Sequence, residues 1–249
     1  MGRKNSRARF AHRAGAALLC ACLTALANHA NAGTLRILPV RIEVAEDKRF
    51  CALTIANDDP KPTTIQVRGF AWRRDSAGND QLDPADGPSL NPSIVAIPAG
   101  ETRLIRCSLP GQPGASEQSW RLIVDELPDP NPLPGVIQAR LRISIPVFRA
   151  PPHAAPALDW SIRPAQAGGA HLVIGNHGDR HTQVTAINLR PRTPGAAPRR
   201  IVRAFYLLAK SSIDLALPDM PSDGIAAVEL ETTDGRLRAS PTDPGSGGG

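Results

Sequence analysis

Glycine and proline interrupt this chain at short, regular intervals from about residue 33 onward, with 21 glycines and 25 prolines in 249 residues. The stretches between them are rich in β-branched residues or alternate between apolar and polar side chains. This pattern is typical of short strands joined by tight turns, and no stretch has a convincing helical period. It therefore predicts an all-β protein. It excludes a collagen-like, coiled-coil or disordered chain, which would need a repeat, a heptad or a lower apolar content.

The first part of the pattern fits one immunoglobulin-like sandwich, because seven strands in about 115 residues match a fold of roughly 100 residues. The predicted strands are Leu35–Val44, Cys51–Asn57, Thr64–Trp72, Ser93–Ile97, Thr102–Ser108, Ser119–Leu127 and Val136–Phe148.

A second, smaller β-sandwich domain is predicted over residues 158–240, after a first domain over residues 33–149. Between them, residues 150–157 (APPHAAPA) contain three prolines and read as a stiff connector. The tail, residues 241–249, is too small and polar to pack, and we expect it to be flexible. The seven predicted strands are Leu158–Arg163, His171–Asn176, His181–Arg190, Ile201–Ala209, Ile213–Leu217, Ala226–Glu231 and Arg236–Ala239.

Residues 1–32 have the three-part plan of an export signal. Five basic residues precede an uncharged run, Ala14–Ala27, and small residues at Ala30 and Ala32 predict cleavage after Ala32. The apolar run is too short to span a bilayer, so we expect an exported chain without stable membrane insertion. Removing the signal reduces the net charge from +6 to +1, which argues against a nucleic-acid partner.

Only Cys51 and Cys107 remain once Cys20 and Cys22 leave with the signal. In an oxidising compartment two cysteines favour one disulfide. In the predicted sandwich they begin and end neighbouring antiparallel strands, which suits that geometry. Two separate buried thiols are the alternative. A metal site is not expected, since the histidines lie far from both cysteines in sequence and structural zinc needs a closed set of ligands.

No catalytic motif stands out in the sequence. It contains no G-x-S-x-G, no H-E-x-x-H and no phosphate-binding G-x-x-x-x-G-K-[ST] loop, and both remaining cysteines are expected in a disulfide. Asp125 and Glu126 are adjacent on a predicted strand and therefore face opposite sides. We expect neither an enzyme nor a bound cofactor.

The last strand of the first domain has an unbroken aliphatic face. Ile137, Ala139, Leu141, Ile143, Ile145 and Val147 alternate with residues that are mostly polar. At 13 residues, Val136–Phe148 is more than twice the usual strand length of about 5–6. It is either a long core strand or a strand that offers part of its edge to a partner through main-chain hydrogen bonds.

The tract WRLIVDELPDPNPLPGVIQARLRISIPVFRAP, together with LPVRIEV and CALTIANDDPKPTTIQVRGFAW, resembles the periplasmic pilus-assembly chaperones of the chaperone/usher pathway. The resemblance covers nearly all of the predicted mature chain, and HLVIGNHGDRHTQVTAINL fits more loosely. It is closer to the spore-coat-type or archaic branch than to the best-known adhesive pili. It implies two immunoglobulin-like domains in an L- or boomerang-shaped arrangement.

The resemblance also implies partners and a mechanism. Pilus subunits of these systems lack their last strand, and the chaperone lends them its own before an outer-membrane usher takes them over. The implied donor residues are Leu141, Ile143, Ile145 and Val147.

In the family, basic residues between the domains hold the subunit's C-terminal carboxylate. A guanidinium can bind a carboxylate through two hydrogen bonds. The candidates are Arg41, Arg121 and Arg142. The lysine that the best-known branch carries on its last strand falls on Ile145 here, so Arg121 is the expected substitute.

Glu126, Arg149 and Asp223 match the family's charged cluster at the domain interface, and the resemblance implies that they fix the angle between the domains. Exposed ion pairs without consequence are the alternative.

Two other functions belong to the same fold class. One is a secreted immunoglobulin-like binding module, and the other is a pilus structural subunit. A subunit should lack its last strand and carry an alternating N-terminal extension, whereas this sequence predicts a complete first domain and a second one.

Overall fold

The computed structural model of the protein describes residues 35–75, 78–129, 139–166, 168–218 and 224–242. In these ranges it is all-β, with 17 strands and no helix, so none that could cross a membrane. The described residues form one compact unit from Leu35 onward. The predicted all-β class is confirmed. The predicted export signal lies outside the described residues.

The first β-sandwich contains ten strands in two sheets. One sheet has the order β1-β3-β8-β6, and the other has the order β2-β10-β9-β4-β5, with β7 paired to β4. The strands are β1 (Leu35–Leu38), β2 (Ile42–Val44), β3 (Phe50–Asn57), β4 (Thr63–Arg74), β5 (Asp80–Asp83), β6 (Ser89–Asn91), β7 (Ile94–Ile97), β8 (Thr102–Ser108), β9 (Gln118–Glu126) and β10 (Arg142–Arg149).

Alternation along these strands directs one row of side chains from each sheet into a shared core. Its fully buried members include Ile55, Ile65, Ile105 and Leu122. The Cys51–Cys107 disulfide joins β3 to β8, where the two residues are direct cross-strand neighbours with Cα atoms 4.9 Å apart. The predicted disulfide is therefore present in the structure.

The second β-sandwich is one continuous seven-stranded arrangement in the order β14-β13-β16-β17-β11-β12-β15. Two antiparallel ladders are joined by a short parallel pairing of β11 with β17, and they enclose a separate core that includes Leu172, Val184 and Leu230. The strands are β11 (Leu158–Pro164), β12 (Ala170–Asn176), β13 (Thr182–Pro191), β14 (Arg199–Leu207), β15 (Ser211–Leu217), β16 (Ile225–Thr232) and β17 (Gly235–Pro241).

A small third cluster of apolar residues joins the two sandwiches. Trp72 of β4 and Phe148 of β10 pack against Leu208, with Tyr206 of β14 beside them. Trp72 and Phe148 lie on the outer face of their sheet, because their strand neighbours Ala71 and Val147 point into the first core. The outer face of this sheet therefore meets the second sandwich.

The structure corrects the prediction for the first strand. Leu35–Val44 is two strands, because the chain leaves the β1–β3 pairing after Leu38 and crosses to the other sheet, where β2 runs parallel to β10. Pro39 follows β1 directly, and a proline has no N–H to continue a ladder. The short strands β5 and β6 were not predicted, since their sequences are brief and polar.

The last strand of the first sandwich also differs from its prediction. β10 begins at Arg142 rather than Val136; residues 136–138 lie outside the described ranges, and residues 139–141 form no strand. The partner strand explains this start, since β9 ends at Glu126 and Asp125 already pairs with Arg142.

Candidate functional site

Strand β10 lies at the edge of its sheet for most of its length. Its inner side pairs with β9 from Arg142 to Arg149, whereas its other side pairs with β2 only from Val147 to Arg149. Within the described residues, the outer side of Arg142–Pro146 therefore has no strand partner. A free edge of this kind is a template for a further strand.

Pro146 ends this open edge. It pairs in register with Arg121 of β9, and β2 begins to cover the strand at the next residue, Val147. Proline carries no N–H, so it is compatible with a ladder only where a donor is not required. A strand that adds to this edge can use main-chain groups from Arg142 to Ile145 but finds no donor at Pro146.

The four predicted donor residues fall into two pairs. Ile145 and Val147 are 1% and 0% exposed and belong to the core of their own sandwich. Leu141 is exposed, and Ile143 is half-buried against the rim of that core. Only Leu141 and Ile143 therefore have apolar surface available to a partner.

Glu126 holds the chain just before β10. Its backbone N–H donates to Leu141 O (2.9 Å), and its Oε2 accepts the Leu141 N–H (3.2 Å). These two bonds fasten Leu141 to the end of β9, next to the start of the open edge.

Arg121 lies on the outer face of the same sheet, because its neighbours Trp120 and Leu122 point into the core. Its guanidinium carbon is 3.6 Å from the centre of the Trp72 ring and 5.6 Å from that of Tyr206. Its Nη1 donates a long hydrogen bond of 3.4 Å to Ser144 Oγ of β10. Stacking on an aromatic face is a favourable setting for a guanidinium, whose charge the ring attracts.

Burial lowers the pKa of the Arg121 guanidinium from its usual value, partly offset by the more distant charge of Asp80. Among the described residues, no carboxylate lies within ion-pair distance of this guanidinium, although other arginines of the sheet have one. The cation is thus held by rings and one hydroxyl, and its capacity to bind a carboxylate is unused within this part of the chain.

Arg142 differs from Arg121 in this respect. It is exposed, and its Nε is hydrogen-bonded to Asp125 Oδ1, while Arg68 donates to the other oxygen at 2.7 Å. Burial by itself would raise the pKa of Asp125, but the hydrogen bonds from Arg142 and Arg68 lower it below its ordinary value. Two arginines thus share one acid, and Arg142 already has a carboxylate.

Arg41 lies at the other side of β10. It precedes Ile42, which pairs with Val147, so it lies close to Pro146 along the strand. Its Nε is 3.4 Å from Glu43 Oε1, and Glu43 in turn accepts a hydrogen bond from Arg180 of the second sandwich at 2.7 Å. The structure therefore brings Arg41 and Arg121 to the two flanks of Pro146.

The structure does not bring the predicted charged cluster together. Arg149 pairs with Gln118 at one end of the β9–β10 ladder, while Glu126 lies beyond Asp125 at the other end. Arg149 is seven positions after Arg142 on β10, which is about 23 Å at ~3.3 Å per residue. Asp223 lies outside the described residues. Glu126 and Arg149 are therefore too distant from each other to form one ionic cluster.

Arg149 is buried, with only 2% exposed, but its partners belong to the first sandwich. Its Nε and Nη2 donate to Gln118 Oε1 at 3.0 and 2.6 Å, and further bonds reach backbone carbonyls at Lys48, Pro110 and Gly111. Burial lowers its pKa. This arginine fastens loops at one end of its own domain.

A buried polar contact between the sandwiches involves residues that the sequence did not single out. Glu117 accepts hydrogen bonds from the His181 ring, with Nδ1 at 2.8 and 2.9 Å from its two oxygens, and from the His181 N–H at 3.0 Å. Nearby, Ser116 Oγ donates to Asp179, which also binds Lys210. No local pattern predicts the Glu117–His181 pair, because its members are 64 residues apart.

Residues 34–155 match the family model of the PapD N-terminal domain of pili and flagellar-assembly chaperones. No curated protein matches the chain.

Solved structures share the fold across most of the chain. A chain of the CsuC–CsuE chaperone–tip adhesion subunit pre-assembly complex, from archaic chaperone-usher Csu pili of Acinetobacter baumannii, has a TM-score of 0.68 at 22% identity. That match covers 84% of this chain and 100% of that one. The E. coli chaperone DraB has a TM-score of 0.58 at 16% identity, with 84% and 97% covered. A chain of the Salmonella enterica SafA pilin–SafB chaperone complex has a TM-score of 0.57 at 14% identity, with 83% and 96% covered.

Proposed function

Because residues 34–155 belong to the family of pili and flagellar-assembly chaperones, we propose that this chain captures incomplete pilus subunits on the open edge of β10. The observation that carries the proposal is the combination of a free strand edge over Arg142–Pro146 with the cation of Arg121 directly beside its end. The fold shared with chains from the CsuC–CsuE and SafA–SafB complexes supports a subunit as the partner.

In this function the edge of β10 supplies the strand that the subunit lacks. Main-chain hydrogen bonds from Arg142–Ile145 add to the subunit's sheet, and Leu141 and Ile143 cover its exposed groove. Burying two such aliphatic side chains contributes at most about 3–6 kcal/mol before the costs of association. Ile145 and Val147 keep the donor strand attached to its own core.

Arg121 binds the C-terminal carboxylate of the subunit. A guanidinium stacked on Trp72 and partly removed from water attracts a carboxylate more strongly than an exposed one, since burial reduces screening. Arg41 lies on the opposite flank of Pro146 and supplies a second basic group. Arg142 contributes least to carboxylate binding, because its guanidinium is already paired with Asp125.

The captured subunit then passes to an outer-membrane usher. The chain carries no nucleotide-binding loop, and strand exchange needs none, since a subunit that replaces β10 with a better-fitting strand releases the chaperone. The predicted export signal and the disulfide are consistent with a periplasmic location, where disulfides persist. The likeness to a Csu chain supports the archaic branch.

A pilus structural subunit is the competing function. Such a subunit should lack the strand next to β9, but here β10 fills that position and β2 covers its final residues. The open edge therefore belongs to a complete sandwich. This favours a chaperone that donates a strand over a pilus subunit that accepts one.

Co-purification tests the proposed function. The full chain is expressed with a tagged candidate subunit encoded beside it, and the periplasmic fraction is passed over the tag. We expect a one-to-one complex that survives washing, and recovery of the subunit alone as aggregate when the chain is left out. A soluble subunit that neither binds the chain nor needs it would contradict the proposal.

A further inference from the structure

The aromatic support of Arg121 is built by both sandwiches. Trp72 belongs to β4 of the first sandwich, whereas Tyr206 belongs to β14 of the second, and their ring centres are 5.7 Å apart in an edge-to-face arrangement. The Arg121 guanidinium contacts both rings. The environment of this cation thus depends on how the second sandwich packs on the first.

The support continues from Tyr206 to His181. The Phe148 ring of β10 lies 5.9 Å from Trp72 and 5.5 Å from Tyr206. The ring of His181, which precedes β13, stacks on Phe148 with centres 3.6 Å apart and planes at 13°. Four rings from both sandwiches therefore form one continuous group beneath Arg121, defined here as the platform: Trp72, Phe148, His181 and Tyr206.

Glu117 fastens this platform at the end away from Arg121. Its side chain is fully buried and that of His181 nearly so, at 0% and 4% exposed. Both carboxylate oxygens face Nδ1 of the ring, and one also accepts the His181 backbone N–H. A buried carboxylate needs such partners, so the pair resists any movement that separates Glu117 from His181.

We propose that Glu117 and His181 are positioning residues for Arg121, acting through the platform. The pair fixes His181 against Phe148, and this contact sets where Tyr206 meets Trp72 and Arg121. If the second sandwich shifts, the supports that Arg121 keeps among the described residues are Trp72 and the long bond to Ser144. The identity of the ligand that Arg121 binds rests on the proposed function, whereas the positioning of the Arg121 side chain does not.

The Arg121 Nε–H resonance of the free full chain tests this inference by nuclear magnetic resonance. The Tyr206 ring beside the guanidinium shifts its N–H by the ring current, and a Tyr206→Leu variant gives the reference position without that ring. In Glu117→Ala we expect the resonance to move most of the way to the Tyr206→Leu position, while the Trp72 ring stays in place. A resonance that stays at its wild-type position in Glu117→Ala would overturn the inference.

Two further variants distinguish a specific positioning of Arg121 by the Glu117–His181 pair from a general loosening of the contact between the sandwiches. Arg180→Ala removes the exposed ion pair with Glu43, which also joins the sandwiches but involves no ring of the platform, so the resonance should not move. Glu117→Gln keeps an acceptor for Nδ1–H and should restore most of the wild-type shift. A Glu117→Gln variant that resembles Glu117→Ala, or an equal effect from Arg180→Ala, would contradict a specific role for the pair.

If Glu117→Ala does not fold, His181→Asn replaces it. This variant keeps a donor for Glu117 but removes the ring on Phe148, and the same two outcomes apply. Addition of a synthetic peptide with the last residues of a candidate subunit then separates the two proposals. An Arg121 resonance that responds to Glu117→Ala but not to the free-carboxylate peptide would support positioning and contradict the anchoring function.

Discussion

Arg121 of β9 lies directly opposite Pro146 of β10, the residue at which the open edge of that strand ends. A partner strand that adds to this edge finds no N–H donor at Pro146, which is also the position where it comes closest to the cation of Arg121. The end of the open edge and the charge that we propose as the carboxylate anchor therefore coincide. In the proposed function this coincidence sets the register of the added strand, because its terminal carboxylate must lie beside Arg121.

Arg121→Ala is expected to weaken subunit binding by roughly tenfold to a hundredfold, since hydrogen bonds to charged groups contribute about 1.5–3 kcal/mol. The dissociation constant of the purified complex measures this change. Arg142→Ala is the matched control and should have little effect, because Asp125 already binds Arg142. Equal losses from both substitutions would assign the carboxylate to another residue.

Ile143→Asp is expected to abolish subunit capture while the chain stays folded, because it puts a charge on the apolar face of the open edge. Co-purification with the subunit measures capture, and thermal unfolding reports the fold. Val202→Asp introduces the same charge at an exposed apolar position of β14 and should leave capture unchanged. Undiminished capture by Ile143→Asp would exclude this edge as the donor.

Ile145→Ala is expected to lower the free energy of unfolding by about 2–5 kcal/mol, since it leaves a cavity in the core of the first sandwich. Ile143→Ala should cost clearly less, because Ile143 is only half-buried. Urea unfolding followed by tryptophan fluorescence compares the two variants. If the costs were equal, or in the reverse order, the division of β10 into an inner core end and an outer donor end would be wrong.

Asp125→Asn is expected to destabilise the chain at neutral pH by up to about 1 kcal/mol, the scale of partly exposed ion pairs. The folded-state pKa of Asp125 is lowered, so its ion pairs contribute fully above the unfolded-state pKa of about 3.9 and are lost as pH falls through the folded-state value. Urea unfolding at pH 7 and at about pH 2 should show a stability difference only at the higher pH. A difference that persists undiminished at low pH would assign Asp125 a role other than ion pairing.

Most strands could be predicted because their signal is local, whereas the short polar strands β5 and β6 carry no such alternation. The disulfide could be predicted because Cys51 and Cys107 fall on predicted neighbouring antiparallel strands. Alternation also predicted the aliphatic face of β10, but it could not show which residues of that face are buried in the core and which lie at its rim. Ile145 and Ile143 are identical in pattern, and only the tertiary packing decides that one is in the core and the other at its rim.

The contacts between the sandwiches could not be predicted from the sequence. Glu117 and His181 are 64 positions apart in the sequence. Each is an ordinary loop residue until the two sandwiches pack together. Glu126 and Arg149, two of the three residues of the expected cluster with Asp223, do not meet in the structure for a related reason. Their separation depends on the length of the β9–β10 ladder, which residue type alone does not reveal.

Amide hydrogen exchange of Arg142–Ile145, with and without a bound subunit, tests the central claim most directly. If the open edge of β10 receives the subunit's strand, the outward-facing amides of this segment should exchange much more slowly in the complex, while the amides of the β14 edge exchange as before. A stable complex in which the amides of Arg142–Ile145 exchange as fast as in the free chain would contradict strand donation by β10.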